Sequence, residues 1–322
     1  MSLQSPASSL QPALLAIHSG ALGDIVLFAH FLTAVRAPGE RVSLAAGSEI
    51  GRLLVELGVV DQCLDFSTLP MHELFNPSGP AADDPLARRL GNCDRLISCF
   101  GAGDEAAQAR LVSLTGATSS LFLPVRPGKQ HVSHLLDFWA DRAQLDEPAR
   151  QRLARPPLWQ ATPELKRLGR AAVQQIGVSD PGGFAVLHVG SGSPAKCWPA
   201  ERFEALADQL DLPAIFVVGP VEVERLGEER LAQWATRRPV LVSPSLAELA
   251  GMLAEAAIFV GNDSGPGHLA AALGTPTLVL FGPTDPAHFA PRGRCVKVLS
   301  GPSLVELPIA AVARAAAQLC AG

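Results

Sequence analysis

Residues Ile258 to Pro283 read IFVGNDSGPGHLAAALGTPTLVLFGP, and this stretch decides the fold of the half of the chain that contains it. It begins with a short apolar run at 258–260, which is typical of a strand buried on both faces of a sheet. A polar turn and a helical segment follow, and then a second apolar run at 278–281. A strand, a helix and another strand in this order predict a parallel sheet covered by helices.

The turn inside this stretch has the composition of a helix start. Small and polar residues precede the helix predicted over 268–273, namely Asn262, Asp263, Ser264, Gly265 and Gly267. Glycines leave backbone N–H groups bare, and together with the helix dipole such groups form a site for an anion. An ordinary helix cap that binds nothing has the same local pattern, so the flanking sequence must decide between the two.

Composition limits the class of protein. The chain has 322 residues, enough for two domains, with 48% hydrophobic and 18% charged residues, as in a well-packed soluble protein. The net charge of −5 argues against a general surface for nucleic acid or anionic membrane. No apolar run reaches the roughly 20 residues that span a bilayer, and the N-terminus lacks the basic start of a signal peptide. We therefore expect a cytoplasmic protein, whose six scattered cysteines are small buried thiols.

Apolar runs alternate with helical periods in both halves of the chain. We predict a long loop over 67–90 and a proline-rich linker over 146–163, with single helices over 221–235 and 304–320. Strict alternation predicts an α/β fold of two Rossmann-like, doubly wound halves with a cleft between them. Ligands of such sheets bind beyond the carboxyl ends of the strands.

Candidate functional residues follow three further predicted strands. The turn SGALGDIVLF carries Asp24, the turn HVGSGSPAKCW carries Ser191, Ser193 and Lys196, and the segment GPVEVE carries Glu222 and Glu224. Hydroxyls, bare backbone and one lysine suit a phosphate, and a glutamate can accept hydrogen bonds from a ribose. Each residue also has a structural alternative: Asp24 as a partner of the helix dipole, the lysine and glutamates as solvated surface, and His268 as a brace of its turn.

Three segments resemble, in order and spacing, the signature segments of the ADP-heptose:lipopolysaccharide heptosyltransferases, glycosyltransferase family 9. They read LLAIHSGALGDIVLF, VLHVGSGSPAKCWPAERFEALA and VGNDSGPGHLAAALGTPTLVLFGPTDP. The resemblance implies a GT-B fold, with an acceptor-binding Rossmann-like domain at 1–160 and a nucleotide-sugar donor domain at 161–322. The resemblance also allows the last helix to pack against the first domain.

The resemblance also implies roles for individual residues. Asp24 resembles the proposed catalytic base and Glu222 the ribose-binding acid, although Glu224 competes with it because the spacing from Gly219 is ambiguous. The other donor-binding counterparts are Ser191, Ser193, Lys196, Asp263, Ser264, Gly265 and His268, with Lys196 also counted as catalytic.

The expected function is an inverting transfer of heptose from ADP-heptose to a lipopolysaccharide inner-core acceptor. No D-x-D triplet is present, so we expect a metal-independent reaction without a cofactor, in which Lys196, hydroxyls and helix N-termini stabilise the leaving diphosphate. The alternatives are a related GT-B transferase with another nucleotide sugar or glycan acceptor, and a non-catalytic sugar-nucleotide binding protein. We expect a bacterial cytoplasmic protein with no nucleic-acid partner and at most peripheral contact with the inner membrane.

A single basic cluster could meet an anionic acceptor. It consists of Arg126, Lys129, His131 and His134. The alternative is a solvated turn before a helix.

Overall fold

The computed structural model describes residues 13–75, 84–128, 132–178 and 183–321. Its strands are β1 (Ala13–Ile17), β2 (Arg41–Ala46), β3 (Gln62–Asp65), β4 (Arg95–Ser98), β5 (Ser119–Phe122), β6 (Ala185–His188), β7 (Ala214–Val218), β8 (Val240–Val242), β9 (Ile258–Asn262), β10 (Thr277–Phe281) and β11 (Val296–Ser300). Its α-helices are α1 (Leu22–Val35), α2 (Ser48–Glu56), α3 (Pro85–Leu90), α4 (Glu105–Thr115), α5 (Leu135–Arg142), α6 (Glu147–Ala154), α7 (Pro163–Gln175), α8 (Ala200–Ala207), α9 (Pro220–Leu226), α10 (Glu228–Ala235), α11 (Leu246–Leu253), α12 (Gly265–Leu273), α13 (Pro286–Phe289) and α14 (Ile309–Cys320).

The described residues form two compact units. The first consists of residues 13–19, 35–55, 60–75 and 84–125, and the second of residues 20–34, 56–59, 126–128, 132–178 and 183–321. The first unit holds a five-stranded sheet in the order β3-β2-β1-β4-β5, and the second a six-stranded sheet in the order β11-β10-β9-β6-β7-β8. Every strand pair in both sheets is parallel, as the alternation of strands and helices predicts.

The core of the second unit explains why its strands read as continuous apolar runs. Every residue of β6, β7, β9 and β10 is buried, because helices cover both faces of a parallel sheet. Trp198 is 1% exposed in this core, and its ring packs edge to face on Phe203 at a centroid distance of 4.9 Å. The indole N–H is also satisfied, because it donates to the carbonyl of Leu307.

Strand register brings two loops of the second sheet to the same edge. His188, the last residue of β6, lies opposite Gly261 of β9. The loop 189–197 and the turn that begins at Asp263 therefore leave neighbouring strands side by side. This is the carboxyl edge of the sheet, where ligands of doubly wound folds bind.

Two segments expected to lack regular structure contain helices. The predicted linker 146–163 includes α6, because its proline at 148 lies in the first turn, where a missing N–H breaks no helical bond. Asp146 caps this helix by accepting from the N–H of Ala149 at 2.9 Å. The predicted loop 67–90 likewise contains a 3-10 turn (Met71–Phe75) and α3.

Two helices predicted as continuous are interrupted. The helix expected over 221–235 breaks at Gly227, whose φ of 77° favours glycine, so that α9 and α10 are separate. The helix expected over 304–320 begins only at Ile309, because Pro308 precedes it and residues Leu304–Glu306 form a 3-10 turn. Strand β5 was missed, since four residues with two serines give too weak a pattern.

Candidate active site

One pocket of the second unit brings most of the candidate residues together. Its volume is about 280 Å³. The sequence-predicted residues that line it are Asp24, Ser191, Lys196, Asp263, Ser264, Gly265 and His268. Arg126 of the predicted basic cluster lines it as well, together with Leu27, Thr284 and Phe289, which the sequence did not single out.

Two helix N-termini meet at this pocket. The first turn of α1 carries Asp24, and α12 begins at Gly265. A Cβ added to Gly265 would lie 2.8 Å from Cβ of Leu22 and 3.2 Å from the backbone nitrogen of Gly23, so a side chain there would force the two helix starts apart. The positive ends of both helix dipoles are thereby held near one another, which favours an anion in the pocket.

The loop after β6 is tied to the turn after β9 by polar contacts. Lys196 Nζ lies 2.9 Å from Asp263 Oδ2, and the Ser191 hydroxyl donates to the Asp263 carbonyl at 2.7 Å. The Asp263 side chain is 10% exposed and that of Lys196 is 34% exposed. The Lys196 ammonium group is therefore partly exposed at the pocket, and the Asp263 carboxylate that pairs with it is nearly buried.

The side chain of Asn262 also links the loop after β6 to the end of β9, a role that the sequence did not reveal. It was expected to cap the helix, but it is the last residue of β9 and is fully buried. Its Oδ1 accepts from the N–H of Trp198 at 2.9 Å, and its Nδ2 donates to the carbonyl of Val189 at 2.9 Å. A side-chain amide has separate donor and acceptor atoms and can make both bonds at once, so an asparagine at the end of an apolar strand was the available signal.

Ser264 is the N-cap residue of α12, but its hydroxyl does not cap the helix. The hydroxyl donates instead to the carbonyl of Asn262 at 3.0 Å, and Nδ1 of His188 lies 3.2 Å from the same oxygen. Burial lowers the pKa of His188, so the neutral ring makes this bond. The N–H of Gly265 is left for a ligand, since Pro266 carries no N–H and that of Gly267 donates to the Ser264 carbonyl at 3.2 Å.

Asp24 is paired with Arg126, although 102 residues separate them in sequence. The Arg126 Nη1 to Asp24 Oδ1 distance is 2.7 Å, and the guanidinium carbon lies 4.7 Å from the centre of the Phe289 ring. More than half of the Arg126 side chain is exposed, so the ion pair contributes at most about 1 kcal/mol. A ligand can exchange with either partner at small cost.

Glu222, Glu224 and Ser193 are not among the residues that line this pocket. Glu222 is 7% exposed, and its Oε2 accepts from the N–H of Gly219 at 2.9 Å in a capping box. Its Oε1 would lie 2.1 Å from a Cβ on Gly190, so the carboxylate sits directly against the loop that carries Ser191. Glu224 is exposed on α9, and Ser193 precedes the 3-10 turn Pro194–Lys196.

The predicted basic cluster is only partly supported. His134 is 5% exposed and caps α5, with Nδ1 accepting from the N–H of Leu136 and Nε2 lying 2.9 Å from the carbonyl of Ala290. Burial lowers the pKa of His134 to about 3, so it carries no charge for an acceptor near neutral pH. Lys129 and His131 lie outside the described residues, and Arg126 is the remaining cation of the cluster.

The part of the chain that the structure describes contains neither a metal-binding cluster nor a membrane-spanning helix. No three His, Cys, Asp or Glu side chains come together there as a group that could hold a metal ion. No helix there is long and apolar enough to cross a bilayer.

Comparison with known proteins gives matches to a family model, to curated relatives and to solved structures. A family model described as glycosyltransferase family 9 (heptosyltransferase) matches residues 144–308. Lipopolysaccharide heptosyltransferase 1 of Pseudomonas aeruginosa is 40% identical over 126 residues, a segment that covers 38% of this chain and 35% of that protein. The chain therefore matches about a third of the length of this curated relative.

Solved structures match nearly the whole chain at low identity. The glycosyl transferase family 9 protein of Veillonella parvula superposes with a TM-score of 0.77 at 19% identity, over 96% of this chain and 97% of that one. The ADP-heptose lps heptosyltransferase II of Escherichia coli gives a TM-score of 0.72 at 18% identity, over 96% and 98% of the two chains. These likenesses show that the fold is GT-B, which confirms the predicted fold class.

Proposed function

The chain belongs to glycosyltransferase family 9, and from this premise we propose that it transfers a heptose from ADP-heptose to the inner core of a lipopolysaccharide. The observation that carries the proposal is a single pocket that combines a carboxylate, an ammonium group and two helix N-termini, namely Asp24, Lys196 and the starts of α1 and α12. These are the groups that a displacement at a sugar bound to a diphosphate requires.

In the proposed reaction an acceptor hydroxyl oxygen attacks the anomeric carbon of the donor. The bond from that carbon to the β-phosphate oxygen breaks, ADP leaves, and the configuration inverts in a single displacement. Asp24 takes the hydroxyl proton, a contribution typical of about 10²–10⁴-fold for a positioned base. The contact of Asp24 with Arg126 is compatible with this role, because the pair is partly exposed and easily exchanged.

The leaving diphosphate is stabilised by fixed positive groups. Lys196 and Gly265, with its backbone N–H, line the pocket in which the phosphates would bind, and Ser191 lines it with its hydroxyl hydrogen donated to the Asp263 carbonyl. Such preorganised donors act without reorganisation when charge develops on the leaving group. We propose that they make a divalent metal unnecessary, so activity persists in chelator.

The remaining assignments concern recognition. Glu222 is proposed to bind the ribose through Oε1, because that atom lies beside Gly190 and the phosphate loop, whereas Glu224 is the exposed competitor on the same helix. Asp263 is proposed to contact the donor sugar, with His268 as its neighbour in the same loop. Ser193 is proposed to contact a donor phosphate beside Lys196, although it is not among the residues that line the pocket. We also propose that residues 161–322 bind the donor and residues 1–160 bind the acceptor. The proposed place of action is the cytoplasm, at the inner membrane.

The decisive experiment is a transfer assay with purified protein, ADP-heptose and a lipopolysaccharide acceptor that lacks heptose, in the presence and absence of EDTA. We expect ADP release and one added heptose per acceptor in both conditions. Turnover with a UDP- or GDP-sugar alone would favour the related transferase. Tight ADP-heptose binding without any turnover would favour a non-catalytic binding protein, and loss of activity in EDTA would contradict metal independence.

A further inference from the structure

Three buried side chains of the second unit keep ring nitrogens without a protein partner. His30, Trp159 and His268 are 2%, 5% and 6% exposed. Within the described residues, both nitrogens of His30, Nε1 of Trp159 and Nδ1 of His268 have no hydrogen-bond partner. Native proteins almost always satisfy buried groups of this kind, either with protein atoms or with ordered water.

The three side chains lie along the contact between α1 and α12. Gly23 and His30 are seven residues apart on α1 and so lie on the same face two turns apart. A Cβ on Gly23 would lie 3.0 Å from Cδ2 of His268, which identifies that face as the one turned toward α12. The rings of His30 and Trp159 are 5.0 Å apart between centroids, and the backbone N–H of Trp159 donates to the carbonyl of Ala272, one turn beyond His268.

Both imidazoles are neutral near pH 7. Burial, followed by the nearby charge of His268, lowers the pKa of His30 to about 3. Burial lowers the pKa of His268 to about 4 despite the opposing carboxylates of Asp263 and Asp24. Each ring therefore carries one N–H and one bare nitrogen, while the Trp159 indole can only donate.

We propose that one ordered water molecule binds between these three side chains, accepting from Trp159 Nε1–H and donating to His268 Nδ1 and to one ring nitrogen of His30. Three hydrogen bonds are the usual number for a buried water. The indole can only donate, so the water accepts from it, and in the proposed arrangement its two hydrogens go to the two bare imidazole nitrogens.

This arrangement has a consequence for the pocket. If His268 Nδ1 accepts, the ring proton is on Nε2, and Nε2 lies on the side of Gly23, which lines the pocket with Asp24 and Asp263. An uncharged N–H donor is thereby presented to an anionic ligand. The role of His268 toward a donor phosphate rests on the proposed function, whereas the water site does not. His30 and Trp159 are positioning residues for His268.

The test is the tautomer of His268, read from long-range ¹H–¹⁵N spectra of histidine-labelled protein at pH 7. We expect the Nε2–H form in the wild type. Trp159→Phe keeps an aromatic ring and removes the indole donor, so the Nε2–H fraction should fall. The Kd for ADP should rise roughly 3–10-fold, the effect of one neutral hydrogen bond.

Trp234→Phe is the matched control. Trp234 is also 5% exposed, but its Nε1 donates to Glu204 at 2.8 Å, away from the pocket residues. This variant should leave the His268 spectrum and the ADP affinity unchanged.

An Nδ1–H tautomer in the wild type, or an unchanged tautomer in a folded Trp159→Phe protein, would overturn the proposal. If that variant does not fold, the wild-type tautomer and a crystal structure that resolves ordered waters decide. Direct packing of the three rings, without a water molecule between them, would contradict the proposed water site. An Nε2–H tautomer and a bound water in a protein that does not bind ADP would leave the water site standing and refute the proposed function instead.

Discussion

Lys196 and Asp263 form an ion pair of 2.9 Å that joins the loop after β6 to the turn after β9, across 67 residues of sequence. The carboxylate is almost buried, whereas the lysine is about one-third exposed. The pair therefore holds a cation at the pocket mouth while leaving it free to meet a ligand.

Removing the lysine should weaken donor binding. Hydrogen bonds to charged groups contribute about 1.5–3 kcal/mol, so Lys196→Met should raise the Kd for ADP roughly 10–100-fold. Isothermal calorimetry of Lys196→Met, Asp263→Asn and the double variant gives a double-mutant cycle. Additive effects would show that the pair does not act as a unit in binding.

Replacing Asp24 by asparagine should separate chemistry from binding. The amide keeps the shape of the side chain but cannot take a proton, so kcat should fall by about 10²–10⁴. The Kd for ADP should change by no more than about twofold, because the helix start and its N–H groups remain. A variant that transfers heptose at the wild-type rate would remove Asp24 from the role of base.

The buried amide of Asn262 should be a large contributor to stability. Asn262→Ala leaves the N–H of Trp198 and the carbonyl of Val189 without partners, and should lower the free energy of unfolding by roughly 2–5 kcal/mol. Asn92→Ala, at an exposed asparagine, is the control and should change it by less than about 0.5 kcal/mol. Urea denaturation compares the two, and equal effects would contradict the role of Asn262.

Glu222 and Glu224 can be distinguished by paired amide substitutions. Glu222→Gln preserves the capping of α9, because glutamine serves in a capping box as well. We expect it to raise the Kd for ADP roughly tenfold and to erase the preference for ADP over 2′-deoxy-ADP, with Glu224→Gln as the control. The reverse result would assign the ribose to Glu224.

Acid should destabilise the fold through its buried histidines. The pKa of His30 is lowered to about 3 by burial, so between that value and an unfolded pKa of about 6.5 the unfolded state binds one more proton. Stability then rises with pH in this window and is lost as pH falls, by about 1.4 kcal/mol per unit for each such histidine. His30→Phe should reduce the slope by that amount in urea titrations at pH 4.5, 5.5 and 6.5. His72→Gln, at an exposed position of the first unit, should not.

Local sequence patterns were sufficient to predict many strands and turns of this fold. Apolar runs bounded by glycine and proline were sufficient to predict β7, β9 and β10, because a strand buried on both faces leaves a direct trace in the sequence. The same pattern failed for α6, whose single proline occupies a permitted first-turn position, and for β5, whose four residues are too few. The turns bearing Asp24, Lys196 and Asp263 were recognised because glycine at a strand end is also a local signal.

Only the tertiary structure decided which side chains meet. The pairing of Asp24 with Arg126, the two-sided amide of Asn262 and the burial of His134 depend on strand order and helix packing. These contacts join segments 60 to more than 100 residues apart, and no period in the chain encodes such distances. The sequence therefore specified which polar residues follow the strand ends. Packing specified which of them form hydrogen bonds within the protein and which face the pocket.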